Sequence, residues 1–117
     1  MQNFQEMIKK IKEIGDRNIQ LAEKKHLKFY IGQIIISTGC QQKGFTEDNG
    51  QLIDIFNRYI NCDWGKLPEE DIALNEKTIF SGYGDIMGEY FIDGIKIWIQ
   101  TQLDEVTITK IYLPEEW

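Results

Sequence analysis

The chain is poor in the residues that most catalytic and metal-dependent chemistry requires. Its 117 residues include two cysteines and a single histidine, His26. A structural zinc site takes four Cys or His ligands, and three scattered ones do not form it. Cys40 and Cys62 stand 22 positions apart with no Cys-x-x-Cys. With no export signal in the N-terminal sequence, both are expected as reduced thiols in a cytoplasm. No apolar run exceeds three residues, as at Ile34 to Ile36, against the ~20 that cross a bilayer. A membrane is therefore not expected as a partner. There is no Gly-x-x-x-x-Gly-Lys and no Gly-x-Gly-x-x-Gly to cradle phosphate. Gly82, Gly84 and Gly88 lead into a strand rather than a helix, and read as turn residues. Pairing either cysteine with His26 for nucleophilic catalysis has no sequence signature behind it.

What is present is acid. Nineteen Asp and Glu against thirteen Lys and Arg give a net charge of −6. The balance is uneven: residues 1–30 hold seven basic and four acidic side chains, while residues 31–117 hold six basic and fifteen acidic ones. The body is thus −9 and its N-terminal extension +3. An acidic body repels nucleic-acid phosphate and attracts basic protein surfaces, so direct nucleic-acid binding is not expected. Hydrophobic residues make 42% and charged residues 27% of the chain, which is ordinary for a soluble globule.

Periodicity sets out the elements. Phe4, Met7, Ile8, Ile11, Ile14, Leu21 and Ala22 predict a helix over residues 2–28, or two shorter ones. The β-branched and aromatic residues of 28–38 read as a strand and residues 39–46 as a loop. Thr46 or Asp48 is expected to cap a helix over residues 48–61, with Leu52, Ile55, Phe56, Tyr59 and Ile60 as its apolar stripe. Pro68 suits the first position of a third helix reaching Phe80, with Glu69, Glu70 and Asp71 favouring its N-terminus. Asp93-Gly94 between residues 85–92 and 95–102 is a strong hairpin signal, and a last strand follows over 106–113. The expectation is one α+β domain, residues 1–117. An N-terminal helical extension (1–29) precedes a body (30–117), where an N-terminal strand and a three-stranded C-terminal meander form a small antiparallel sheet with about three helices on one face.

Three sets of residues stand out as candidates. Asp63, Glu69, Glu70, Asp71, Asp85 and Asp104 lie near element ends and are the material from which a Mg²⁺ site would be built. No Asp-x-Asp-x-Asp-Gly loop accompanies them, and acids at helix starts already serve the helix dipole. No metal or cofactor is therefore expected. Asp63-Trp64-Gly65 puts a large aromatic in an inter-helix turn. Trp64 there is either a plug between helix ends and sheet or an anchor for a partner. Trp98, on the strand face bearing Lys96 and Gln100, and the terminal Trp117 pose the same alternative.

With these segments set out, the chain resembles a family of small plasmid- and phage-associated bacterial proteins of poorly defined function. The resemblance runs from Ile31 to Trp117. It rests on Ile31-Gly32-Gln33-Ile34, Asp63-Trp64-Gly65, Leu67-Pro68-Glu69-Glu70-Asp71 with Asn75, Gly88-Glu89-Tyr90, Lys96-Ile97-Trp98-Ile99, Thr101, Asp104, Thr107 and Leu113-Pro114-Glu115-Glu116-Trp117. The chain departs from the family at Asp104-Glu105-Val106, where Asp-Arg-Ser is usual, and in the added residues 1–29. The resemblance implies a mobile-element context; it does not imply an enzymatic activity. Context and charge together lead to an expected non-enzymatic inhibitor of a host nucleic-acid-targeting defence complex, of the anti-CRISPR kind. Its partner would be a host protein or nucleoprotein complex with a basic surface. Asp63, Glu69, Glu70, Asp71, Asp104 and Glu105 would meet Lys and Arg, with Trp64 or Trp98 as the apolar anchor. The alternatives are a plasmid maintenance or regulatory module that homodimerises through its N-terminal helix, and a metal-dependent hydrolase or nuclease using the acidic cluster.

Overall fold

The computed structural model describes residues 29–117; the helix expected over residues 2–28 lies outside them. The first strand, β1 (Gln33–Ile36), is shorter than the apolar run around it. Gly32, at φ 60°, sits so close to the opposite strand that a Cβ there would lie 2.0 Å from the Thr107 carbonyl oxygen. At the other end the Ser37 hydroxyl accepts from the Cys40 amide at 3.1 Å. That bond caps a short helix, α1 (Thr38–Gln42), where a loop was expected. The buried Cys40 holds this turn against the core, a tertiary contact that local sequence does not announce.

Helix α2 (Gly50–Ile60) is capped by Asn49, whose side chain accepts from the Leu52 amide at 3.0 Å; Thr46 and Asp48 fall too early for that bond. It buries the expected stripe of Leu52, Ile55, Phe56, Tyr59 and Ile60. Helix α3 (Glu69–Ser81) starts after Pro68 and stops at Gly82, whose left-handed φ of 75° lets its amide reach the Thr78 carbonyl. Strands β2 (Gly84–Ile92) and β3 (Ile95–Leu103) form the predicted hairpin, with Asp93 and Gly94 both at positive φ. Strand β4 (Ile108–Tyr112) and a 3₁₀ turn, Pro114–Glu116, end the chain.

The four strands lie in the order β1-β4-β3-β2. β2 with β3 and β3 with β4 are antiparallel, but β1 runs parallel to β4, pairing Gln33 with Ile108 through to Ile36 with Ile111. The expected all-antiparallel sheet is therefore corrected to a mixed one. The reason is topological. The helical crossover from β1 brings the chain back to start β2 in the direction of β1, and two hairpins then return β4 to that same direction.

One face of the sheet forms the core. Ile34, Ile36, Ile86, Tyr90, Ile97, Ile99 and Ile111 meet the stripe of α2 there. Each such side chain contributes about 1.5–3 kcal/mol by leaving water. Two threonines share this interior. Thr109 donates to the Ile31 carbonyl at 2.7 Å, the Thr101 and Thr109 hydroxyls lie 2.7 Å apart, and Tyr59 donates to Thr101 at 2.7 Å. With Thr109 donating to Ile31, each hydroxyl gives one proton down the series, so no buried hydroxyl is left unbonded. Burial pushes the Tyr59 phenol far above its ordinary range and keeps it a donor.

Candidate functional site

Of the singled-out residues, Asp63, Trp64 and Gly65 lie along the outer edge of β2. An uncovered edge strand presents unpaired amides and carbonyls and invites association. Here two segments cover it. The Asp63–Lys66 turn bridges to Glu89, with the Lys66 amide donating to the Glu89 carbonyl at 2.8 Å and the Glu89 amide to the Trp64 carbonyl at 3.0 Å. Two residues along, Asn75 of α3 receives the Met87 amide on Oδ1 at 3.0 Å and donates Nδ2 to the Met87 carbonyl at 2.7 Å. One side-chain amide thus takes the place of a strand partner.

Asp63, Trp64 and Gly65 serve this closure. Arg58 holds the Asp63 carboxylate with two bonds, Nε to Oδ2 at 2.8 Å and a terminal nitrogen to Oδ1 at 3.2 Å. Oδ1 also accepts from the Gly65 amide at 3.2 Å. The Arg58 hydrogen bonds hold the Asp63 carboxyl below the usual carboxylate range, with the Gly65 bond adding to them against a small burial penalty. The Tyr90 hydroxyl donates to the Asp63 carbonyl at 2.7 Å. Trp64 is only 4% exposed, and its ring packs edge-on to Tyr59 at 5.5 Å and beside Phe29 at 5.9 Å. It fills the space between helix end and sheet, so its ring offers a partner no surface in this structure. Gly65, at φ 70°, allows the backbone contact; a Cβ would fall 2.0 Å from the Glu89 oxygen.

The remaining candidates separate in space. Glu69, Glu70 and Asp71 are exposed in the first turn of α3, beside the Glu89 end of β2. Asp104 and Glu105 are exposed in the β3–β4 turn, next to Leu103, which pairs with Gly84. Five residues of strand, roughly 17 Å, divide the two groups. Trp98 is half-buried on the outer sheet face. Its Nε1 donates to Glu89 Oε1 at 3.0 Å, and its ring stands edge-on to Tyr112 at 5.9 Å. Lys96 completes that group at 3.5 Å from the same Glu89 oxygen. Among the described residues, no three His, Cys, Asp or Glu side chains are placed to hold a metal ion.

The sequence reading missed the outward face of α3. The helix turns Ile72, Asn75 and Ile79 toward β2 and leaves Ala73, Leu74, Lys77 and Phe80 facing away. Leu74 is 58% and Phe80 95% exposed, and Tyr83, just past the C-cap, is 68% exposed. Apolar residues on two faces of one short helix were the available signal. A helix that packs on one side only has no structural need for the second stripe. Glu69, Glu70 and Asp71 stand in the first turn of the same helix.

No described helix is long and apolar enough to cross a membrane. No family model, curated protein or solved structure matches the chain.

Proposed function

We propose that this chain is a non-enzymatic binding protein that uses the outward face of α3 to occupy a basic protein surface. The reading follows from Leu74, Phe80 and Tyr83 standing exposed along and just past a helix whose first turn carries Glu69, Glu70 and Asp71, on a body that carries −9 over residues 31–117. Exposed aromatic and aliphatic side chains supply the apolar centre of an interface, and a charged rim supplies steering and register. Burying Phe80 alone would contribute about 2 kcal/mol. The carboxylates would meet Lys and Arg of the partner in place of a phosphate backbone. That is the action expected of an element-encoded inhibitor of a host nucleic-acid-targeting complex.

Affinity capture from bacterial lysate, with and without nuclease treatment, tests the reading. The wild-type chain should retain a stoichiometric partner after nuclease treatment, and retention should fall steeply as salt is raised. Phe80→Ala and the pair Glu69→Lys with Glu70→Lys should each release it. A partner held equally well by these variants and at high salt would refute the proposal.

A further inference from the structure

The sheet has two faces, and the described helices cover one of them. Helices α2 and α3 both pack from the core side, α3 through Ile72 and Ile79. Alternation along the strands turns a second set of side chains the other way. Ile35, Met87, Trp98 and Ile108 are half-buried there, Phe91 is 47% exposed and Tyr112 is buried beside Trp98. An apolar sheet face of this kind is material for an interface. Its charge sets it apart from the rest of the surface. Asp85, Glu89, Lys96 and Lys110 are its ionised side chains and sum to zero, on a body of −9 over residues 31–117. Glu89 and Lys96 lie 3.5 Å apart. Asp85 and Lys110 are exposed, and both line a cleft of about 80 Å³ together with Gln100, Gln102 and Ile108. Among the described residues neither has an ion-pair partner.

A nucleic acid gains little on this face, since one of its two lysines is already paired and the body repels phosphate. A strongly basic protein finds no acidic excess there. A second copy of this chain brings a neutral, apolar surface of both signs, so two acidic bodies can meet on it without like charge between them. The register fixes how two copies meet. Across the face, Gln33, Ile108, Gln102 and Asp85 stand in one row, and Ile35, Lys110, Gln100 and Met87 in the next. Tyr112, Trp98 and Glu89 form the third. A two-fold axis parallel to the strands, between β3 and β4, keeps each row and exchanges its ends. Trp98 then lies over Tyr112 of the second copy, and Gln100 over its Lys110. Asp85 falls over Gln33 of the second copy, about 8 Å in projection from its Lys110, against about 12 Å between the two residues within one copy. The flexible lysine stem spans that offset. A two-fold across the strands instead sets Asp85 against Glu89 of the second copy, which repels. We propose that the chain self-associates as a two-fold dimer through this outer sheet face, with Asp85 and Lys110 paired twice between the copies. Four strands about 19 Å wide and about 24 Å long give roughly 900 Å² over both copies, the size of a weak, reversible interface. The pairing uses none of Leu74, Phe80 or Tyr83, so it stands independently of the reading of α3 above.

The test is sedimentation velocity on the full chain at rising concentration. The wild type should shift from monomer to dimer with a Kd in about the micromolar range. Lys110→Glu and Asp85→Lys should each weaken association at least about tenfold, because each sets like charges together twice. Both residues are exposed, so the urea midpoint of either variant should match the wild type. Mixing the two variants should restore the dimer, because both contacts of the mixed pair then join opposite charges. That rescue requires the contact to lie between copies, and general destabilisation would not produce it. A wild type that stays monomeric to about millimolar concentration overturns the proposal. So does a dimer that neither variant weakens, or a mixture that restores nothing. A monomeric wild type that instead retains a single-stranded thymidine oligonucleotide, and loses it on Lys110→Glu, assigns the face to nucleic acid and overturns the proposal as well.

Discussion

Asn75 offers the sharpest test of how the β2 edge is closed. Its amide satisfies both outward-facing backbone groups of Met87, and only one orientation of the amide does so. Asn75→Ala removes donor and acceptor together. Each orphaned backbone group costs about 1–3 kcal/mol when water cannot replace the bond. Met87 is half-buried, so the lower end applies, at about 1 kcal/mol each. Asn75 itself is 3% exposed, and the space left by its side chain adds a little more. The expected loss is about 2–3 kcal/mol, a large share of the 5–15 kcal/mol typical of a domain. Urea unfolding should show a lower midpoint with an unchanged slope, because the surface exposed on unfolding is the same. Hydrogen exchange at the Met87 amide should accelerate more than at Ile97 or Ile99 in the neighbouring strand. Asn75→Leu keeps the volume but none of the bonds, and should be nearly as unstable as the alanine variant. If Asn75→Ala costs under about 0.5 kcal/mol and Met87 exchange is unchanged, the edge-closing argument is wrong.

Gly65→Ala should cost at least about 2 kcal/mol more than Gly44→Ala, which carries only the left-handed backbone penalty: both sit at positive φ, but Gly44 has open space and Gly65 has the Glu89 oxygen 2.0 Å from the new Cβ. Comparative thermal unfolding of the two variants checks this. Thr101→Val should cost about 2 kcal/mol by breaking the hydroxyl series on both sides, and adding Tyr59→Phe should then cost less than it does alone; additive losses in a double-mutant cycle would refute the shared series. Glu116 accepts from the Ser37 hydroxyl at 2.6 Å and from the Leu113 and Gly39 amides at 2.9 and 3.0 Å. Burial opposes its ionisation, but these bonds prevail and hold its carboxyl below the ordinary 4.5. A depressed carboxyl stabilises the fold above its unfolded value and loses that contribution as pH falls through its folded value. Glu116→Gln should therefore flatten the acid limb of the stability profile below pH ~4.5, and an unchanged limb would count against the C-terminal latch.

Much of the fold is legible in the sequence because its signals are local. Asp93-Gly94 specifies a two-residue hairpin, the alternation of Ile95, Ile97 and Ile99 gives the buried face, and the stripe from Leu52 to Ile60 gives α2. The parallel pairing of β1 with β4 is not legible in this way, because it depends on where a crossover of many residues returns the chain. The short helix after Ser37 is hidden for a related reason: it is held by the buried Cys40 and by Glu116, 79 residues from Ser37. The acidic half of the candidate site was readable as a run of three acids after Pro68. Its apolar half was not, because the exposure of Leu74 and Phe80 follows from Asn75 turning toward β2, and nothing local says that a polar residue marks the buried side of a helix.

The residues singled out between Asp63 and Glu116 have architectural work. Trp64 and Lys66 bond the backbone of Glu89, Tyr90 bonds Asp63, Asn75 bonds Met87, Trp98 bonds the Glu89 side chain, and Glu116 ties the C-terminus to α1. Each of these contacts closes a strand edge or a chain end or, for Trp98, links side chains across paired strands, so each demands a particular residue at a particular spacing whatever the protein binds. A pattern of this kind reports a fold more directly than a ligand. In the proposed reading, recognition resides in side chains that the fold does not need, and on α3 these are Leu74 and Phe80. Replacing Phe80 with a polar residue should leave the unfolding midpoint unchanged while altering what the chain retains. Replacing Asn75 should do the reverse at early times, lowering stability before any loss of binding by the folded fraction. The two variants therefore separate architecture from recognition on a single helix.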